Sequence, residues 1–259
     1  MITVIGHGYI GTEIIRKLIE KGIQVSWTSH NNYVPIHTDV IINAAGYTGA
    51  PNVDACEFNK EKTIDGNVLW PLKLERLHPN IPIVHISSGC VYTGYSKDYT
   101  EEDEPNFDFD NGSFYSGSKA LAQRLLMPYM NKSYLLRIRM PFGNEENNKN
   151  LLTKYIRYPK LIDYKNSVSY VEDVANVAIH FATHKPQFGI YNVCNPGAVT
   201  TKQVSDMMGL KKEWFTENEF MAAVKAPRSN CVLNVDKLMK VFPIQDSLTA
   251  LQTAISKYS

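Results

Sequence analysis

Apolar positions along the first 140 residues alternate between two spacings. Ile2-Thr3-Val4-Ile5 is a β-branched run, and behind it Ile14, Ile15, Leu18 and Ile19 recur at helical spacing until Gly22. Further strand-like runs follow at Ile23-Gln24-Val25-Ser26-Trp27, Asp39–Asn43, Ile81–Ser87 and Leu135–Arg139. Helical patterns stand between them around Val68–Leu77 and Ser118–Met127. Apolar strands alternating with helices predict a parallel sheet covered on both faces. After Met140-Pro141 the alternation becomes irregular. Val171–Thr183 reads as a helix returning to the sheet, and Gly189–Val193 as a late strand. The expected fold is α/β, a Rossmann-type doubly wound parallel sheet with a smaller, discontinuous lobe. Residues 1–141, completed by about 170–195, make the sheet domain. Residues 142–169 and 196–259 make the lobe.

Composition narrows the partners. The chain of 259 residues can bury a core without staples, and its formal net charge of +1 offers no electrostatic case for nucleic acid. No apolar run approaches the ~20 residues of a membrane helix, and the start lacks the basic region and cleavage site of a signal peptide. Neither nucleic acid nor membrane is expected as a partner, and a cytoplasmic location is. Cys56, Cys90, Cys194 and Cys231 are scattered, which argues against a metal site and a disulfide framework.

Gly6-x-Gly8-x-x-Gly11 follows a strand and opens a helix. The first glycine makes the tight turn, the second lets backbone approach a pyrophosphate, and the third packs helix against strand. Free N–H groups at the helix start suit phosphate. Gly6, Gly8, Tyr9, Ile10 and Gly11 are therefore candidate dinucleotide contacts. The second strand ends in Thr28-Ser29-His30-Asn31, without the acid that would bond a ribose 2′-hydroxyl. The balance favours NADP(H) over NAD(H), although no arginine stands there either.

Tyr115 and Lys119 lie four residues apart, on one helix face. A phenol, with an ordinary pKa of about 10, is expected to be made more acidic by the ammonium and to pass a proton to a ketone oxygen as hydride arrives. Lys119 could also hold a ribose. Ser88, after an apolar strand, could donate to the same oxygen. Asn43-Ala44-Ala45-Gly46, after another strand, could edge the cofactor.

These elements, with Val91-Tyr92 and Tyr170–Val174, resemble the extended short-chain dehydrogenase/reductase family. Longer stretches are similar to one branch of it. They are Asn43–Asp54, Glu101–Phe107 continuing to Gly112–Ser116, Arg137–Pro141, Gly189–Asn192 with Asn195–Gly197, and Ala226–Asn230. That branch is the bifunctional UDP-4-keto-6-deoxyglucose 3,5-epimerase/4-reductases of plants and some large viruses, related to dTDP-4-dehydrorhamnose reductase. The resemblance implies epimerisation at carbons 3 and 5 of a 4-keto sugar, then reduction at carbon 4. It makes Cys90 and Lys154 the acid–base pair; alone, they read as an inert thiol and a surface lysine. It places Arg228, whose fork suits a diphosphate, and Asn150 near a nucleotide-sugar, together with Ser88 and Tyr115. Without it Arg228 reads equally as a surface ion pair. A homodimer, a plain 4-reductase and a non-catalytic subunit, like the regulatory subunit of methionine adenosyltransferase, all stay open. His85 reads as a core residue, and Trp27, Trp70 and Trp214 as packing residues.

Overall fold

A computed structural model describes residues 1–33 and 37–258. In chain order it contains β1 (Ile2–Ile5), α1 (Tyr9–Glu20), β2 (Val25–Thr28), β3 (Val40–Asn43), α2 (Ala55–Phe58) and α3 (Lys60–Ile64). A π-turn over Asp65–Leu69 leads into α4 (Trp70–Leu77), followed by β4 (Ile83–Ser88), α5 (Phe114–Leu126), β5 (Tyr134–Ile138), β6 (Pro141–Phe142) and α6 (Leu151–Arg157). Then come β7 (Lys160–Leu161), β8 (Lys165–Asn166), β9 (Ser169–Tyr170), α7 (Val171–His184) and β10 (Gly189–Asn192). The remainder holds β11 (Val199–Thr200), α8 (Thr201–Met207), β12 (Glu213–Trp214), α9 (Glu217–Ala223), α10 (Asp236–Val241) and α11 (Ser247–Ser256).

Six strands pair in parallel in the order β10-β5-β4-β3-β1-β2, as the apolar runs predict. The sheet is Rossmann-like. The chain leaves β1 for β2 on one side and returns to β3 on the other, so strand order reverses between β1 and β3. A crevice at the carboxyl ends of such strands is where an open α/β sheet takes ligands. Ile14, Ile15 and Leu18 of α1 pack with α7 on one face, where Val174, Val177, Ala178 and Phe181 are buried. Trp70 and Leu74 of α4 cover Ile5, Ile41 and Ile83 on the other.

A separate apolar cluster joins Leu151, Leu152 and Tyr155 of α6 to Phe142, Tyr170, Val204 and Leu251. Leu238 of α10, in the stretch expected for the smaller lobe, belongs instead to the main cluster. The packing expected of Trp27 is corrected: it is 54% exposed, on β2 at the edge of the sheet. Among the described residues no helix is long and apolar enough to cross a membrane.

Candidate active site

The glycine loop has the shape its spacing predicts. Gly6 turns at φ +90°, and a Cβ there would lie 2.7 Å from the backbone nitrogen of Ala45. A Cβ on Gly11 would lie 1.8 Å from the carbonyl oxygen of Gly6. The β1 loop, the Ala44–Ala45 loop and α1 therefore close on one another only without side chains. Gly8, the N-cap of α1, has open space where a Cβ would be. No side chain caps that helix, and its first turn carries no acid. Orphan N–H groups facing open space, with no acid in the first turn, are what a pyrophosphate requires. Ile10 packs onto the core. The buried Tyr9 hydroxyl has no hydrogen-bond partner among the described residues and sits against Gly143. A cavity of about 240 Å3 opens beside His7–Tyr9. It is lined by Gly8, Tyr9, Thr12 and Arg16 as well as by Glu13, Glu145, Glu146 and Glu172.

Asn43 ends β3, but its side chain serves the protein. Its Oδ1 accepts from Trp70 Nε1 (3.1 Å) and the Ala45 N–H (3.3 Å), and its Nδ2 lies 3.1 Å from His85 Nδ1. His85 also meets buried Glu75 at 3.1 Å, so it is a satisfied core residue, as its position on an apolar strand predicts. Asn43 thus fixes the loop that carries Ala44, Ala45 and Gly46. Asn67, which the sequence reading missed, does the same from the π-turn. It accepts from the Tyr47 N–H at 2.8 Å and donates to the Tyr47 carbonyl at 2.9 Å and to Ser118 Oγ at 3.0 Å. Nothing in the sequence marks a π-turn.

Ser113 caps α5, its Oγ accepting from the Ser116 N–H at 3.0 Å. The first two turns of that helix bury Tyr115 and Lys119. Lys119 Nζ lies 5.9 Å from the Tyr115 ring centre and next to Gly46. Burial pushes the Lys119 amine down to about 8. Burial also pushes the Tyr115 phenol above its ordinary value, with Cys90 acting the same way and a hydrogen bond from Ser88 acting against it. This corrects the acidified phenol expected from the spacing. Desolvation is the largest influence on the phenol, so Tyr115 holds its proton, as a proton donor should.

Ser88 ends β4, and its Oγ accepts from the Cys90 N–H at 3.1 Å. Cys90 is half-buried and free. Lys154 projects from α6, and burial together with Lys149 pushes it down to about 8, while Cys90 pulls it upward. Lys154 and Cys90 therefore share a field although they are far apart in sequence. Asn150 is fully buried at the N-cap of α6, accepting from the Leu152 and Gly143 N–H groups and donating to the Gly143 and Glu145 carbonyls. These bonds hold the start of the helix that carries Lys154. The Arg228 fork is taken by Asp54: Nη1 to Oδ1 at 2.7 Å and Nη2 to Oδ2 at 2.9 Å. Nη1 also donates to the Ala226 carbonyl, which leaves two of the five guanidinium N–H groups without a partner among the described residues. Asp54 and Lys149, whose ammonium donates to the Gly49 carbonyl, were not foreseen.

The family model of the RmlD substrate-binding domain matches residues 1–258. The chain belongs to this family. It is 35% identical over 234 residues to a bifunctional dTDP-4-dehydrorhamnose 3,5-epimerase/dTDP-4-dehydrorhamnose reductase of Arabidopsis thaliana, across 84% of this chain and 75% of that protein. It is also 35% identical over 236 residues to a trifunctional UDP-glucose 4,6-dehydratase/UDP-4-keto-6-deoxy-D-glucose 3,5-epimerase/UDP-4-keto-L-rhamnose-reductase of the same plant. That match covers 85% of this chain but 34% of the relative, so the chain spans about a third of the trifunctional protein. The crystal structure of the L780 UDP-rhamnose synthase from Acanthamoeba polyphaga mimivirus superposes with a TM-score of 0.91 at 28% identity, over 99% of both chains. A dTDP-4-dehydrorhamnose reductase from Clostridium acetobutylicum shares the fold, with a TM-score of 0.82 at 21% identity over 98% of both chains.

Proposed function

We propose that this chain acts on UDP-4-keto-6-deoxyglucose, inverting carbons 3 and 5 and then reducing carbon 4 with NADPH to give UDP-L-rhamnose. The observation that carries the reading is the meeting of Ser88, Cys90, Tyr115 and Lys119 at one end of β4 and α5, with Lys154 of α6 within the electrostatic reach of Cys90. The names of the plant and viral relatives support it.

The coarser activity is ketone reduction at carbon 4. Gly6–Gly11 and Ala44–Gly46 would hold the dinucleotide, which when bound supplies the hydride. Ser88 and Tyr115 stabilise the charge that develops on the ketone oxygen, and Tyr115 gives up its proton there. NADPH is the proposed form, because Thr28 and Ser29 at the end of β2 present no carboxylate to a 2′-phosphate.

The finer activity uses the same oxygen. Protons on carbons 3 and 5 are acidified by the adjacent ketone. When Cys90 sulfur takes one, the C–H bond breaks, an S–H bond forms, and the electron pair moves to the ketone oxygen held by Ser88 and Tyr115. Lys154 then returns a proton to the opposite face, and the carbon is inverted. Both groups reset by exchange with water.

Incubating UDP- and dTDP-4-keto-6-deoxyglucose in deuterium oxide without reduced cofactor tests this. Deuterium should enter carbons 3 and 5, and Cys90→Ala should lose that uptake. Reduction of an already epimerised 4-keto sugar with no uptake by the wild type would leave a plain 4-reductase. Cofactor binding without any turnover would leave a binding subunit.

A further inference from the structure

The mechanism above assigns no part to Arg139, the residue just beyond β5. Its side chain is 1% exposed, and it forms no ion pair with a carboxylate among the described residues. Nη1 donates to Cys90 Sγ at 3.3 Å and to Ser229 Oγ at 2.6 Å. Nη2 donates to the Ser229 carbonyl at 3.1 Å and to the Asn166 side-chain oxygen. Nε has no partner. Ser229 uses its own proton on the Tyr92 carbonyl at 2.5 Å, so toward Arg139 it can only accept. A hydroxyl, an amide and a carbonyl are neutral. Of the four acceptors, only the Cys90 sulfur can carry a negative charge. Buried charges in proteins are paired, because an isolated ion in a low dielectric is costly.

The local chain is built to allow this contact. Gly89 lies between Ser88 and Cys90, and a Cβ there would fall 2.9 Å from Arg139 Cδ and 3.0 Å from its Cγ. Glycine at that place lets the arginine stem cross the backbone directly under the thiol. The other groups facing Cys90 are Tyr115 and Lys119 of α5, Lys154 of α6, and Cys231. Two of these are cations. Cys231 donates its thiol proton to the Gly89 carbonyl at 3.8 Å, and burial pushes it upward, so it is no rival anion.

We propose that Arg139 is the positioning residue of the proton-transfer pair: it fixes the Cys90 sulfur and serves as its counter-charge, so that Cys90 is the base and Lys154 the acid. This assignment of direction rests on Cys90 being the base of the epimerisation proposed above. Because Arg139 also grips Ser229, beside Arg228, the counter-charge is held by the same segment that carries the Arg228–Asp54 pair.

Alkylation of Cys90 by iodoacetamide, followed by peptide mass spectrometry from acid to alkaline pH, tests the proposal without substrate. The folded wild type gives the reference rate. Arg139→Met, checked for folding by near-UV circular dichroism, should react about tenfold or more slowly at neutral pH. An unchanged rate and profile in that variant would overturn the proposal. Should Arg139→Met not fold, Arg139→Gln decides: it removes the charge and keeps a hydrogen-bonding side chain, so slower alkylation supports the proposal and an unchanged rate overturns it. Deuterium uptake separates this from the parent reading. Arg139-dependent alkylation with no uptake leaves the counter-charge standing and removes the epimerase. Uptake lost in Cys90→Ala, with alkylation indifferent to Arg139, does the reverse.

Discussion

Lys154 and Tyr115 are both desolvated, with opposite consequences for their charge. Burial lowers the amine to about 8 and raises the phenol, so near neutrality Lys154 is mostly an ammonium and Tyr115 is protonated. Each is in the form a proton donor needs. The donor form of Lys154 is lost as pH rises through about 8, so deuterium uptake at carbons 3 and 5 should fall on that alkaline limb. Lys154→Met should abolish the limb together with most of the uptake. Tyr115→Phe should lower kcat for reduction about 10²–10⁴-fold, the usual worth of a positioned acid, while NADPH still binds by fluorescence titration. Tyr115 and Lys119 were legible because both lie on one helix, where four residues make one turn. Arg139 was not legible as a functional residue. Its identity stood in Arg137-Ile138-Arg139, but whether an arginine is buried, and against what, depends on segments that arrive from residues 166 and 229.

At the scale of elements, the turn from β1 into α1 is the stiffest part of the site. The Cβ of Gly11→Ala would strike backbone, the Gly6 carbonyl at 1.8 Å, and no side-chain rotation can relieve that. The variant should lose roughly 1–3 kcal/mol of stability or fail to fold. Where it folds, it should bind NADPH at least about tenfold more weakly, which thermal melts and titration would show. This turn could be read in advance because three glycines at fixed offsets have a local steric cause. The same holds for β1, β3, β4 and α1, whose periods match the structure to within a few residues. The π-turn at Asp65–Leu69 could not be read. One extra residue in a helical ladder leaves the hydrophobic spacing almost unchanged, yet it turns Asn67 toward Tyr47 and Ser118.

Across the whole molecule, the Asp54–Arg228 pair ties the loop after β3 to the segment after α9. Both side chains are 23% exposed. Burial works against the Asp54 carboxylate, but the Arg228 fork and backbone N–H groups outweigh it and hold it below the ordinary carboxylate range. A carboxyl depressed in the folded state contributes stability that is present above its unfolded value, near about 3.9, and lost as pH falls through the folded one. Asp54→Asn should therefore lower stability at neutral pH by roughly 1–3 kcal/mol. Its melting temperature should then approach that of the wild type in strong acid. Periodicity and local sterics were enough to establish the order of strands and helices, the glycine turn and the Tyr115–Lys119 helix, since each depends on neighbours within a turn or two. Tertiary packing alone settled which groups lie together: Arg139 against Cys90 and Arg228 held by Asp54. Charge pairing depends on distance and dielectric, and both are set only when segments far apart in the chain exclude water from one another.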